Sequence, residues 1–513
     1  MKFTLFTVLL IFLSENAIGQ LSVKNLKLPY GEYTIGYQHQ LKYDSSRSYN
    51  FIQKSANTDS YRPMSISIWY PAVSAIRSTS NYVKTLNYLE VYKLEKEWEQ
   101  LPNEQLLNWF EYPNTPKNRR ILGESSMAFK NPEWQKGKFP VVIYSPGYEG
   151  SSVENFALCE LLASHGYIVV ASPGRGSDDL YLNGGTLIDI ETQARDIEFL
   201  IGMVNGWEYT DKSKIAVMGF SFGGLSNVLT QMKNEQVKAI VSIDGSIKYQ
   251  YKKLKDSPFF SINKVDVPFI HLAQKDIPEE ILKSDNLDPG LNTDFKFFDD
   301  LKYSDAYAFK FHHLTHSNFT TLGVLLSNRD PRQDKSDEKI MVSHKITSQY
   351  ILHFLNGHLL SDSESIEFLK NDPEANGFEE QLISRKHKKA NQKPVSFSDF
   401  NEQMMDSEYH EIPDIYHNFR SVNPEFKIEE SQLNTLALQW LYNSEKPDNG
   451  IKVLNFAVSL FPNSSNLFDS LGEGYLVIRD EKNALKSFKE AVRLDANNFN
   501  SAERIKQLSD ADK

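Results

Sequence analysis

The stretch Gly219-Phe220-Ser221-Phe222-Gly223-Gly224 follows directly on the apolar run Ile215 to Met218 and directly precedes a helix-length amphipathic stretch, Leu225 to Lys233. A serine between two glycines at such a junction points to nucleophilic chemistry. The turn from strand to helix is too sharp for side chains at Gly219 and Gly223, and its strain holds the Ser221 hydroxyl clear of the neighbouring backbone. The residue pattern alone is common, so its placement between a strand and a helix is what singles out Ser221. A serine hydroxyl is a weak nucleophile at neutral pH and needs a general base within hydrogen-bond reach, with an acid to orient that base. In sites built this way the chain order is serine, acid, histidine. The base must then lie beyond the last buried strands, which leaves His312, His313 and His316.

The other histidines invite plainer readings. His165 sits in a Ser-His-Gly turn ending a helix and His271 lies inside an apolar run; neither has a ligand-spaced partner, so no metal site is expected. There is no glycine-rich phosphate loop or dinucleotide fingerprint, and no cofactor is expected. A formal net charge of −11 over 513 residues argues against nucleic acid or an anionic membrane as the main partner.

Short, nearly continuous apolar runs recur at 140–144, 167–171, 214–218, 239–243 and 268–273, as expected of strands buried on both faces. Amphipathic stretches at 153–165, 188–203 and 225–233 alternate with them, which predicts a mostly parallel sheet flanked by helices on both faces. An earlier segment, 62–70, alternates apolar and polar residues and reads as an antiparallel strand; a helix over 346–360 closes the domain. Residues 79–124 interrupt the plan with Tyr82, Tyr88, Trp98, Trp109, Phe110 and Tyr112. Two readings stay open for this insert: a helical lid, or aromatics that pack it onto the edge of the sheet.

Three stretches carry a family resemblance: Gly219 to Gly224, Ile240-Val-Ser-Ile-Asp244, and His316-Ser-Asn-Phe319, together with Trp69-Tyr70-Pro71-Ala72. Over 62–360 the chain resembles the platelet-activating-factor acetylhydrolases and their bacterial relatives, which have the α/β-hydrolase fold. The resemblance implies a triad of Ser221, Asp244 and His316. Dienelactone-hydrolase and cutinase-like polyesterase branches of the fold take the acid one strand later, where Asp276 stands, so Asp276 is the alternative to Asp244. The fold also implies an oxyanion hole made by the Phe222 N–H and an N–H of the loop Ser145-Pro146-Gly147-Tyr148, that of Tyr148. The implied activity is hydrolysis of carboxylic esters through an acyl-enzyme, on phospholipid-like or other short to medium acyl chains. Amide hydrolysis on the same triad is one alternative, and a non-catalytic binding protein acting through its C-terminal repeats is another.

The ends of the chain complete the reading. Residues 1–19, one lysine followed by an apolar run and small residues, read as a secretory signal peptide, so a periplasmic or extracellular protein with no membrane segment in its mature form is expected. The single Cys159 lies among leucines and reads as a buried hydrophobe. The hydrolase domain is expected over 20–377 and a linker over 378–428, including the basic cluster Arg385 to Lys389. Over 429–513 Leu433, Ala437, Leu441 and Ala457 recur 34 residues later as Leu467, Leu471, Tyr475 and Ala491, a period that resembles the tetratricopeptide repeat. Two repeats are too few to bury a core alone, so the module is expected to dock on the hydrolase domain or self-associate, and it offers a surface for a protein partner.

Overall fold

The computed structural model describes residues 22–49, 61–73, 81–110, 112, 114–284, 288–326, 337–443 and 445–511. The segment read as a signal peptide lies outside them. The chain divides into two compact units, Met1–Asn391 and Gln392–Lys513. Among the described residues no helix is long and apolar enough to cross a membrane.

In the first unit one sheet is built from β1 (Thr34–Ser48), β2 (Tyr61–Ala72), β3 (Tyr82–Lys84), β4 (Ser125–Lys130), β5 (Phe139–Ser145), β6 (Ile168–Ala171), β7 (Thr210–Phe220), β8 (Val237–Ile243), β9 (Phe269–Ala273), β10 (Ala306–Phe311) and β11 (Ile383–Lys388). Their spatial order is β11-β10-β9-β8-β7-β5-β6-β2-β1-β4-β3. From β6 through β10 all neighbours are parallel, while β2 joins β6, and β11 joins β10, in antiparallel fashion. The apolar runs are continuous because both faces are covered. Val142, Tyr144, Ala216 and Met218 enter one core cluster, and their alternates Val141, Ile143, Ile215 and Val217 enter the other. Helices Phe156–Ser164 and Asp337–Leu359 pack in the first cluster; Leu187–Asn205 and Gly223–Lys233 pack in the second.

The insert packs on the sheet. Its helices Thr85–Glu95, Asn103–Trp109 and Pro116–Leu122 send Tyr88, Leu89, Leu106, Leu107 and Leu122 into the same cluster as helix Phe156–Ser164. Tyr88 stacks on Phe156 at 4.2 Å, and its hydroxyl donates to Glu160 at 2.6 Å while accepting from the Trp69 indole at 3.1 Å. A ring this deep, with its polar end satisfied, is a packing element.

The expected linker over 378–428 is corrected at both ends. The basic cluster Arg385 to Lys389 falls mostly in β11, whose register with β10 pairs Ala308 with Lys386 and Phe311 with Ile383. Helices Phe397–Asp406 and Ile412–Val422 follow, and their Phe400, Met404, Ile412 and Phe419 are buried with Leu433, Leu454 and Leu467 of the helices after them. The second unit is thus all-α from its start. The helices Glu430–Asn443 with Pro447–Leu460 and Ser465–Val477 with Glu481–Leu494 form two successive pairs, closed by Phe499–Ala511. The two preceding helices share one apolar core with these pairs.

Candidate active site

β7 runs straight into the turn at Ser221, which sits at φ +49°, a backbone conformation that costs a non-glycine residue roughly 1–2 kcal/mol. The surroundings hold it there. The Ser221 N–H donates to the Ile243 carbonyl at 3.0 Å, and the Ser221 carbonyl accepts from the Gly224 and Ser246 N–H groups at 3.0 and 2.7 Å. A Cβ on Gly219 would lie 2.6 Å from the Gly223 backbone, and one on Gly223 would lie 2.2 Å from the Ser145 carbonyl oxygen. Both glycines are therefore required by close approach, as the sequence pattern predicts.

Three of the candidate residues meet here. The His316 Nε2 is 2.9 Å from Ser221 Oγ, and His316 Nδ1 is 2.5 Å from Asp244 Oδ2. Asp244 directly follows β8, is fully buried, and stands at φ +39°. Its second oxygen accepts from the Gln274 N–H at 3.0 Å and the Tyr249 hydroxyl at 3.1 Å. Burial alone would raise the Asp244 pKa, but the hydrogen bond and charge of His316, with the Gln274 N–H, outweigh it and hold the carboxyl below its ordinary range. His316 opens the short turn His316–Phe319, where the Asn318 side chain accepts from the Thr315 N–H; its ring stacks on Phe220 at 4.7 Å and is about 39% exposed.

Asp276 is not brought to this group. Its side chain is 62% exposed and pairs with Lys310. His312 and His313 lie just past the end of β10, where the His312 N–H is tied to the Leu382 carbonyl. Burial, then the nearby Lys310 charge, lowers the His312 pKa.

The loop after β5 approaches Ser221 closely: a Cβ on Gly147 would lie 3.4 Å from Ser221 Cβ. Its next residue, Tyr148, makes no hydrogen bond through its N–H among the described residues, and neither does Phe222 through its own. Two free N–H groups on the segments flanking a serine hydroxyl can receive a developing negative oxygen. The Tyr148 ring meets Phe222 edge-on at 5.9 Å and is 45% exposed, while its hydroxyl donates to the Leu182 carbonyl and accepts from the Gly184 N–H.

The family model described as the prolyl oligopeptidase family matches residues 155–269, a stretch that contains Ser221 and Asp244 and stops before His316. Among solved structures the chain is similar to a ferulic acid esterase from Streptomyces cinnamoneus, at 17% identity and a TM-score of 0.47, covering 70% of this chain and 97% of that one. No curated protein matches. This is a serine hydrolase of the α/β-hydrolase fold.

Behind the site the hydrolase carries supporting residues that the sequence does not mark. Gln274 binds both partners of the pair, donating its N–H to Asp244 and accepting the His316 N–H on its side chain at 3.1 Å. Buried Glu154 accepts from the Tyr144 hydroxyl at 2.8 Å and the Gly147 N–H at 3.0 Å, so it holds the loop from beneath; desolvation pushes its pKa up to about 7. Glu95 of the insert accepts from the Ser151 hydroxyl and the Ser152 N–H and is also raised by burial. None of these falls in a motif: their roles arise from contacts between segments far apart in the chain.

Proposed function

We propose that this hydrolase cleaves carboxylic esters through an acyl-enzyme, with Ser221 as nucleophile, His316 as general base and Asp244 as the acid that orients it. The single observation that carries the reading is the continuous chain Ser221 Oγ, His316 Nε2, His316 Nδ1, Asp244 Oδ2, with separations of 2.9 and 2.5 Å. His316 takes the Ser221 proton as Oγ attacks the carbonyl carbon, and Asp244 fixes the ring with Nδ1 protonated. The Tyr148 and Phe222 N–H groups receive the oxyanion. Collapse expels the alcohol, which takes the proton from His316. Water, activated by the same imidazole, then releases the acid and restores Ser221.

The substrates are esters with short to medium acyl chains, phospholipid-like esters among them as the sequence resemblance implies. The helical pairs after residue 429 are of the tetratricopeptide kind and recruit a protein partner or a second copy, and the protein is exported.

A second reading has a specific observation behind it: the matched family is one of peptidases. The same triad cleaves amides when the leaving amine is protonated by the histidine. A fluorophosphonate probe followed by turnover of p-nitrophenyl esters and matched p-nitroanilides separates the two. Labelling at Ser221 with ester turnover well above anilide turnover is expected. Preferential anilide cleavage would move the assignment to a peptidase, and a protein that neither labels nor turns over would remove both.

A further inference from the structure

Outside the serine site, one face of the sheet's β9-β10-β11 end carries a cavity of about 280 Å³. The strand register puts its wall together. Ala308 pairs with His271 on one side and Lys386 on the other, and Lys310 likewise pairs with Ala273 and Ser384, so these side chains share a face. Phe295 packs against His271 at 4.6 Å and supplies an aromatic wall, and Lys248, from the helix after Asp244, adds a cation from a different element. Neither Ser221 nor His316 lines it.

Not every cation around this cavity has an ion-pair partner. Lys310 is shared between Asp276 and the Asn292 carbonyl, but Lys248 and Lys386 have no carboxylate within ion-pair distance among the described residues. Lysines on an edge strand such as β11 also guard against pairing with other chains, which accounts for Lys386. It does not account for Lys248, which is half-buried and whose ammonium is disfavoured there by burial. Deeper still, His271 is 1% exposed; its Nδ1 is bound to Ser242 Oγ at 2.9 Å, while Nε2 has no hydrogen-bond partner. Burial pushes the His271 pKa down to about 3, so this ring adds no charge to the wall.

We propose that this cavity binds a small organic carboxylate, its charged end between Lys248 and Lys386 and its apolar body, a few carbons or one ring, against Ala273, Ala308 and Phe295. The volume, near the lower end for ligand sites, suits a small molecule. Inorganic phosphate would satisfy the lysines and leave the apolar wall unfilled.

The test is calorimetric titration of the full chain with benzoate, hexanoate and inorganic phosphate, on untreated protein and on protein already phosphonylated at Ser221. The proposal expects benzoate or hexanoate to bind equally to both preparations and more tightly than phosphate. Binding should weaken at least fivefold in Lys248→Gln and in Lys386→Gln and be lost in Ala308→Phe, which fills the cavity without removing charge. Should Ala308→Phe fail to fold, the two rim variants carry the test. Absence of binding, loss of binding on phosphonylation, equal affinity for phosphate, or affinity unchanged in both lysine variants would each overturn it.

Discussion

The ends of β8 and β9 lie side by side, both strands run the same way, and each leads into an aspartate, yet the two carboxylates differ in almost every physical respect. Asp244 is fully buried and meets His316, Gln274 and Tyr249. Asp276 lies three residues past the end of β9, mostly in solvent, and pairs with a lysine. An orienting acid must stay ionised where water cannot solvate it, so it is recognised by its donors rather than by its place after a strand. Glu154 shows what happens to a buried carboxyl nearby when its donors do not outweigh burial: its pKa rises to about 7 where that of Asp244 falls.

Ser221→Ala sets the floor for this comparison and should have the largest effect, a loss of about 10⁶-fold in kcat, the scale seen when a triad serine is removed. Labelling by the fluorophosphonate should vanish with it. A smaller, pH-dependent effect sets the two kinds of buried acid apart. The folded pKa of Glu154 lies above its ordinary value of 4.5, so its contribution is fully present below about pH 4.5 and is lost as pH rises through about 7. The loss is on the order of 3 kcal/mol. Denaturation of Glu154→Gln at pH 5 and pH 8 should show a smaller difference for the hydrolase transition than the parent does. Asp244 has the opposite sign: its stabilisation is present above its ordinary pKa and is lost only in acid, as pH falls through the lowered value. A smaller effect belongs to Tyr249→Phe, which removes one neutral donor from Asp244, about 1 kcal/mol or roughly fivefold in kcat/KM. An unchanged Tyr249→Phe would mean that His316 and Gln274 alone keep the acid in place.

The contrast between the two aspartates also marks what is legible in the sequence. The elbow is readable because its glycines fall at a fixed local spacing around Ser221: Gly219 is forced by Gly223 a few residues on, and Gly223 by the Ser145 carbonyl of the neighbouring strand. The parallel strands β5 to β9 are readable because the parts covered on both faces are short, nearly continuous apolar runs. β11 is not: Ile-Ser-Arg-Lys-His-Lys has the composition of a linker, and only its ladder with β10 makes it a strand. The helices Phe397–Asp406 and Ile412–Val422 hide in the same way, since their few apolar residues gain meaning from the later helices they cover. In the site, the proposed nucleophile Ser221 is marked by local spacing, whereas choosing between two strand-end aspartates depends on Gln274 and Tyr249, whose positions follow from tertiary packing.

The most direct test of the central claim is kcat/KM for a short-chain p-nitrophenyl ester in Asp244→Asn and Asp276→Asn, measured side by side with melting curves for both. A loss of about 10⁴-fold in Asp244→Asn, as when a triad aspartate is made an amide, with Asp276→Asn within twofold of the parent, is the predicted result. A large loss in Asp276→Asn with Asp244→Asn left active would contradict it.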